Sequence, residues 1–155
     1  GSYTGLRVGM AAAKGICYAQ NIPLISISTL QLLAAGVQHE AEIIIALIDA
    51  RRDEVYAGVF DKELNSLQPE QAMILGPNAL LPWRERSNVV YTGNGAQKAA
   101  ALLGIKELFL VPSKNGALNM ARIASNKFLS RDFVDLVYHE PVYLKEFYNT
   151  AKDKL

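Results

Sequence analysis

The sequence is poor in the residues that build disulfides and metal sites. Its 155 residues include one cysteine, Cys17, so no disulfide can form within the chain. The two histidines, His39 and His139, lie far apart and give no metal-ligand spacing. The opening residues also lack a basic stretch followed by an apolar core, so we expect no secretory signal and a cytoplasmic location.

Long apolar runs and an excess of one charge are also missing. The longest aliphatic run, residues 43–48, is far shorter than the roughly 20 residues that a membrane-spanning helix needs. There are 16 basic and 15 acidic side chains, which leaves a formal charge of +1. Because phosphate affinity needs several clustered Lys or Arg, this balance argues against autonomous binding to nucleic acid.

A helix is predicted for residues 4–20, with Thr4 placed to cap its start. Four apolar residues recur at spacings of three and four, as on one helical face: Leu6, Met10, Ala13 and Cys17. A ridge of small residues runs along the same segment: Gly5, Gly9, Ala12 and Ala13. Each interior glycine costs a helix about 1 kcal/mol relative to alanine. Close packing should offset that cost, either within the chain or against another subunit.

Strand and helix patterns alternate after this helix. Ser28, with Gln31 three residues later, is the signature of a capping box, and we expect that helix to end before Gly36. Residues 42–49 and 54–60 are joined by only four residues and predict an antiparallel hairpin, covered on both faces. Further strands are predicted at residues 23–27, 71–75, 88–91 and 107–111, further helices at residues 77–86, 95–103 and 118–130, and a β-rich tail at residues 136–145.

A glycine turn joins the strand at residues 88–91 to the following helix through Gly93, Asn94 and Gly95. The N–H groups of such a turn, together with a helix N-terminus, favour an anion, so a phosphate could bind there. The turn lacks both the dinucleotide fingerprint and the P-loop ending. It is therefore either a weak nucleotide-binding turn or an ordinary connection. The charged hairpin tip around Asp49 and Glu54 is typical of a solvated turn, although paired carboxylates can also act as acid and base.

The opening residues 1–9, continuing through residues 13–15 and 23–25, resemble the TsaB (YeaZ) family. Residues 47–56, 92–95 and 141–144 add to the resemblance. It implies an α/β protein with the actin-like ATPase (ASKHA, ribonuclease H-like) fold, built from two subdomains. Residues 1–40 would be what remains of an incomplete first subdomain, because family members begin with an extra segment. Residues 41–155 would form the second, and it stays open whether the tail returns to the first.

The resemblance also implies a role. TsaB proteins are non-catalytic scaffold subunits that support TsaD in making N6-threonylcarbamoyladenosine at adenosine 37 of tRNA, with TsaE as a third member. The metal-binding His-x-x-x-His pair of TsaD falls on Thr29 and Leu33, so no metal and no other cofactor is expected. The expected partner is TsaD or a second copy of this chain, tRNA being met only through the complex. The alternative is a nucleotide-binding protein with weak ATPase activity at Gly93, Asn94 and Gly95; a metallopeptidase is disfavoured.

From this resemblance we predict that the first helix faces the partner. The predicted partner-binding residues are Gly5, Leu6, Gly9, Met10, Ala12, Ala13 and Cys17.

Overall fold

The structure is a computed structural model that describes residues 3–114 and 116–145. The described helices are α1 (Tyr3–Gln20), α2 (Thr29–Ala35), α3 (Leu81–Arg84), α4 (Ala96–Leu103) and α5 (Ala117–Leu129), with a 3-10 turn at Glu107–Phe109. The strands are β1 (Ile43–Asp49), β2 (Glu54–Asp61), β3 (Ser66–Ile74) and β4 (Val89–Thr92).

The four strands form one sheet in the order β3-β2-β1-β4. Strands β1 and β2 pair antiparallel, with Ile43 opposite Asp61 and Asp49 opposite Val55, which confirms the predicted hairpin. Strand β4 runs parallel to β1, with Ile43 beside Val89. The central strand β1 is therefore bordered by backbone partners on both sides.

Both faces of β1 are buried, as its continuous aliphatic run predicts. Ile45 and Leu47 are fully buried on one face, where the alanines of α4 cover them. Ile44 and Ala46 lie on the other face, beneath α2. Burying an Ile or Leu side chain completely contributes about 1.5–3 kcal/mol, so β1 is the main anchor of the core.

Helix α2 begins at the predicted cap. Ser28 has extended backbone geometry, and its Oγ accepts hydrogen bonds from the N–H groups of Leu30 at 3.1 Å and Gln31 at 3.5 Å. The Gln31 side chain does not complete a reciprocal capping box, because its amide donates to the carbonyl of Leu64 at 3.3 Å. Helix α1 is also confirmed, but Thr4 lies inside its first turn rather than before it.

Two predicted strands are wrong, and the β-rich tail forms none. Residues 23–27 make only a single bridge, from Leu24 to Val134, and residues 107–111 form a 3-10 turn with one bridge from Leu110 to Tyr91. In the tail, residues 136–145 contain no strand. Extended backbone becomes a strand only where a neighbouring strand completes its hydrogen bonds. Residues 23–27 and 136–145 have no such neighbour within the described chain. Residues 107–111 do lie beside β4, but the 3-10 turn at Glu107–Phe109 leaves only Leu110 and Val111 to meet it.

Two other elements differ in length. Strand β3 begins at Ser66 rather than at residue 71, because β2 is long enough to pair with it, and the register is irregular around Gly58. Pro69 lies within β3, which is an edge strand, the position where a sheet tolerates proline. Helix α3 has only four residues, since Leu80 before it adopts a left-handed conformation with φ of 58°.

Helix α1 packs against the segment that follows α5. The ammonium group of Lys14 donates to the carbonyl of Val137 at 2.9 Å, and the rings of Tyr3 and Tyr143 lie 4.7 Å apart between centroids. Cys17, in the last turn of the helix, is buried. No helix within the described residues is both long and apolar enough to cross a membrane. The division into subdomains at residue 40 stays a prediction.

Candidate functional site

Helix α1 presents one continuous uncharged side to solvent. At about 3.6 residues per turn, seven of its residues share the side opposite the packed one. We call this the outer face of α1: it consists of Gly5, Val8, Gly9, Ala12, Gly15, Ile16 and Ala19, all exposed. Val8 is 64% exposed and Ile16 is 62% exposed. Apolar side chains exposed in a row on one helix are typical of an interaction surface.

The glycines of this face have open space above them. A Cβ added at Gly9 or at Gly15 would meet no atom within 4 Å outside the helix's own backbone. Within the described chain, nothing therefore packs closely enough to explain glycine at these two positions. The cost of about 1 kcal/mol for each glycine in a helix is not offset by packing inside the described chain.

The predicted partner-binding residues divide between two sides of α1. Gly5, Gly9 and Ala12 lie on the outer face. The other four turn towards the rest of the chain or lie at the border: Leu6, Met10, Ala13 and Cys17.

The inward residues have contacts of their own. Leu6 and Met10 line a cavity of about 480 Å³, which α1 shares with the segments on either side of Ser28 and Tyr143. The Cys17 thiol donates to the carbonyl of Pro23 at 3.7 Å and is buried. The sequence reasoning missed Val8 and Ile16. Their spacing of eight residues places them on the same side as Gly5 and Gly9, and this signal was available from the sequence.

The glycine turn is hydrogen-bonded to the C-terminal end of β1. Gly93 has a φ of 95°, and a Cβ there would collide with the carbonyl oxygen of Leu47. The N–H of Gly95 donates to that same oxygen at 3.0 Å, while the side-chain oxygen of Asn94 accepts the N–H of Asp49 at 3.0 Å. The N–H of Ala96 donates to Gly93 at 3.1 Å.

This geometry accounts for the turn without a ligand. Gly93 and Gly95 allow the backbone to approach β1 closely, and the N–H groups of Gly95 and Ala96 already have acceptors. The arrangement favours the ordinary connection over the phosphate-binding turn. Nucleotide binding at Gly93, Asn94 and Gly95 stays a prediction.

Lys98 holds the charged hairpin tip in place. Its ammonium group donates to Asp49 Oδ1 at 2.6 Å, to the carbonyl of Arg52 at 2.8 Å and to the carbonyl of Glu54 at 2.6 Å. The hydrogen bond from Lys98, followed by that from the N–H of Arg51, holds the pKa of the Asp49 carboxyl below its usual 3.8. The Asp49 carboxylate pairs with Lys98 and the Glu54 carboxylate pairs with Lys145. The hairpin tip is therefore a turn held by ion pairs, and its two carboxylates do not share a proton as an acid–base pair would.

Thr29 and Leu33, the positions at which the resemblance predicts the metal-binding pair of TsaD, carry no imidazole. Thr29 is the exposed first residue of α2, and Leu33 is buried against the sheet. Within the described ranges, no group of three or more His, Cys, Asp and Glu side chains is arranged to hold a metal ion.

Comparison with known proteins gives consistent matches. A family model described as TsaD, tRNA N6-adenosine threonylcarbamoyltransferase, matches residues 1–130. The tRNA threonylcarbamoyladenosine biosynthesis protein TsaB of Escherichia coli is 30% identical, over 100% of this chain and 70% of its own length. The protein of the same name from Bacillus subtilis is 37% identical, over 48% of this chain and 34% of its own length. The chain thus spans only part of each relative.

The fold has solved counterparts. YeaZ from Pseudomonas aeruginosa superimposes with a TM-score of 0.76 at 24% identity, covering 93% of this chain and 70% of that one. A second Pseudomonas aeruginosa structure, described as similar to peptidase YEAZ, gives a TM-score of 0.77. Together with the family model, these structures confirm the predicted α/β fold of the actin-like ATPase class.

Proposed function

The chain belongs to the TsaB family, and on that premise we propose that it serves, as a non-catalytic partner subunit of TsaD, in the synthesis of N6-threonylcarbamoyladenosine in tRNA. In this proposal TsaD carries out the transfer, and this chain supports it in the cytoplasm through contact between helices. TsaE is the third member, and tRNA is met through the assembled complex. A second copy of the chain would compete for the same surface.

The outer face of α1 carries the proposal. It is uncharged, it is exposed along the length of the helix, and the space above Gly9 and Gly15 is open. Small residues in such a row let a second helix approach closely, and the exposed Val8 and Ile16 would lose their water-facing apolar surface on docking.

The absence of imidazole at Thr29 and Leu33 supports the non-catalytic part of the proposal. A threonine hydroxyl is a poor ligand for a transition metal, and a leucine side chain cannot ligate at all. If TsaD-type chemistry depends on a metal at these positions, this chain has to leave that chemistry to its partner.

The test is Gly9→Met in the full-length protein. Because a side chain at Gly9 meets nothing within 4 Å, the variant should fold at least as well as the parent. The added side chain should nevertheless separate the two helices, and association with TsaD should weaken at least tenfold. Isothermal titration calorimetry with purified TsaD measures this affinity, and the urea midpoint checks the fold.

Gly116→Met is the matched control. Gly116 also has open space around its α-carbon, but it precedes α5 instead of lying on α1. Its affinity for TsaD should equal that of the parent. Unchanged binding of Gly9→Met to TsaD, with both variants folded, would show that α1 does not face this partner.

A further inference from the structure

A second, smaller cleft lies on the flank of α1, between that helix and the segment that ends at Tyr143. Its volume is about 300 Å³, at the lower end of the range for small-ligand sites. Three nitrogen-bearing side chains line it: Arg7 and Lys14 from the helix, and His139 from the tail segment. We call it the basic cleft.

These side chains have few partners of the opposite charge. Arg7 lies over the ring of Tyr143, 5.8 Å from its centroid, and within the described residues it forms no ion pair with a carboxylate. Lys14 donates to the carbonyl of Val137, which carries no net charge. Glu140 is the one carboxylate residue among those that line the cleft. Two full positive charges therefore face one negative charge.

His139 adds an unsatisfied polar atom. Its Nε2 is shielded from solvent and has no hydrogen-bond partner within the described part of the chain. Leaving a buried polar atom unpaired costs about 1–3 kcal/mol. If the imidazole ring turns so that Nε2 reaches a ligand oxygen in the cleft, that penalty is removed. The same ligand would meet the guanidinium of Arg7, whose planar fork suits two oxygens of one group.

We propose that the basic cleft binds a phosphate group through Arg7, Lys14 and His139. The phosphate belongs either to the backbone of an RNA or to a free phosphate compound. The RNA source rests on the proposed function, because tRNA then lies close to this chain in the complex. With a formal charge of only +1, the chain lacks the excess of positive charge that favours tight RNA binding by the chain alone. One phosphate contact therefore positions a tRNA held mainly by the partner.

The first measurement uses the full-length protein alone with inorganic phosphate. Phosphate should shift the imidazole signals of His139 in a heteronuclear NMR titration, and Arg7→Gln should abolish the shift. Arg7→Lys keeps the charge and should retain part of it. Lys62→Gln is the control: Lys62 pairs with Glu63 on the surface between β2 and β3, away from the cleft.

The second measurement uses the complex with TsaD and a tRNA substrate at several salt concentrations. If the source is RNA, Arg7→Gln should lower the slope of log affinity against log salt by about 1, and Lys62→Gln should leave it unchanged. A shift with inorganic phosphate but an unchanged slope supports the site with a free phosphate compound as its ligand.

No NMR shift and no change in slope would overturn the proposal. If the chain fails to associate with TsaD, the proposed function fails, but the phosphate titration still decides whether the cleft binds an anion.

Discussion

At the scale of single residues, Lys98 does more than the sequence suggests. Its ammonium group joins α4 to Asp49 at the end of β1 and to two carbonyls of the hairpin turn, those of Arg52 and Glu54. The sequence places Lys98 just after the glycine turn, within the predicted helix at residues 95–103, and gives no sign of its partners. The structure shows that this cation neutralises the hairpin tip.

The first prediction concerns the ionisation of Asp49. Because its folded pKa is held below 3.8, the ionised carboxyl stabilises the fold fully above that pH, and the contribution is lost as the pH falls through the folded pKa. The difference in unfolding free energy between the parent and Asp49→Asn should therefore be largest near neutral pH and vanish in acid. Urea unfolding at a series of pH values measures it.

A Lys98→Gln background provides the control for this pH dependence. Without the ammonium group, the main cause of the lowered pKa is gone, so Asp49→Asn should have a much flatter pH profile. The same profile in both backgrounds would mean that Lys98 is not the cause.

At the scale of elements, the sequence correctly predicted the helices and strands that are marked by signals in their own residues. Helices α2, α4 and α5 and the β1–β2 hairpin follow from caps, apolar periodicity and a short turn. The two wrong strands and the β-rich tail have the right residue types, but strand formation depends on a partner distant in the sequence. Leu24 meets only Val134 in this way, and no pattern near residues 23–27 indicates it.

The same limit applies to the candidate site. Helical spacing predicted that α1 would carry a small-residue ridge, but the sequence could not tell which side would be covered. The position of residues 134–143 decides this, since they pack on the side that carries Lys14 and Cys17. The basic cleft depends on the same contact between distant segments, so no local motif marks it.

The cap of α2 supports a prediction at this scale. Ser28→Ala removes the acceptor of two backbone N–H groups and the hydroxyl that donates to Glu70 at 2.6 Å. The variant should lose about 1 kcal/mol of unfolding free energy, as measured by urea titration. Ser28→Thr keeps the hydroxyl and should lose much less. An equal loss in both variants would point to packing around Ser28 instead of the cap.

At the scale of the whole molecule, α1 is attached to the rest through the tail segment. Tyr143 packs on Tyr3 and beneath Arg7, and Lys145 is paired with Glu54 of β2. The tail segment thus connects the helix to the sheet, since Val137 and Tyr143 contact α1 and Lys145 contacts β2. The orientation of the outer face of α1 relative to the sheet depends on these contacts.

Tyr143→Ala should loosen this attachment. Backbone amides of α1 should exchange with solvent faster, because the helix loses its aromatic contact, while amides of β1 and β2 should keep their protection. Hydrogen exchange read by mass spectrometry measures both. Tyr138→Ala is the control, since Tyr138 lies in the same segment but is 83% exposed. Equal exchange in α1 for the two variants would show that the ring contact does not hold the helix.

Pro69, in the edge strand β3, affects how the sheet can meet other chains. Sheet edges invite another chain to add a strand, which leads to aggregates or fibres. Pro69 has no N–H to offer to such a strand, and the irregular register around Gly58 distorts the ladder beside it. Uncontrolled growth of the sheet along this border is therefore obstructed, even though α1 exposes the apolar side chains of Val8 and Ile16 to solvent.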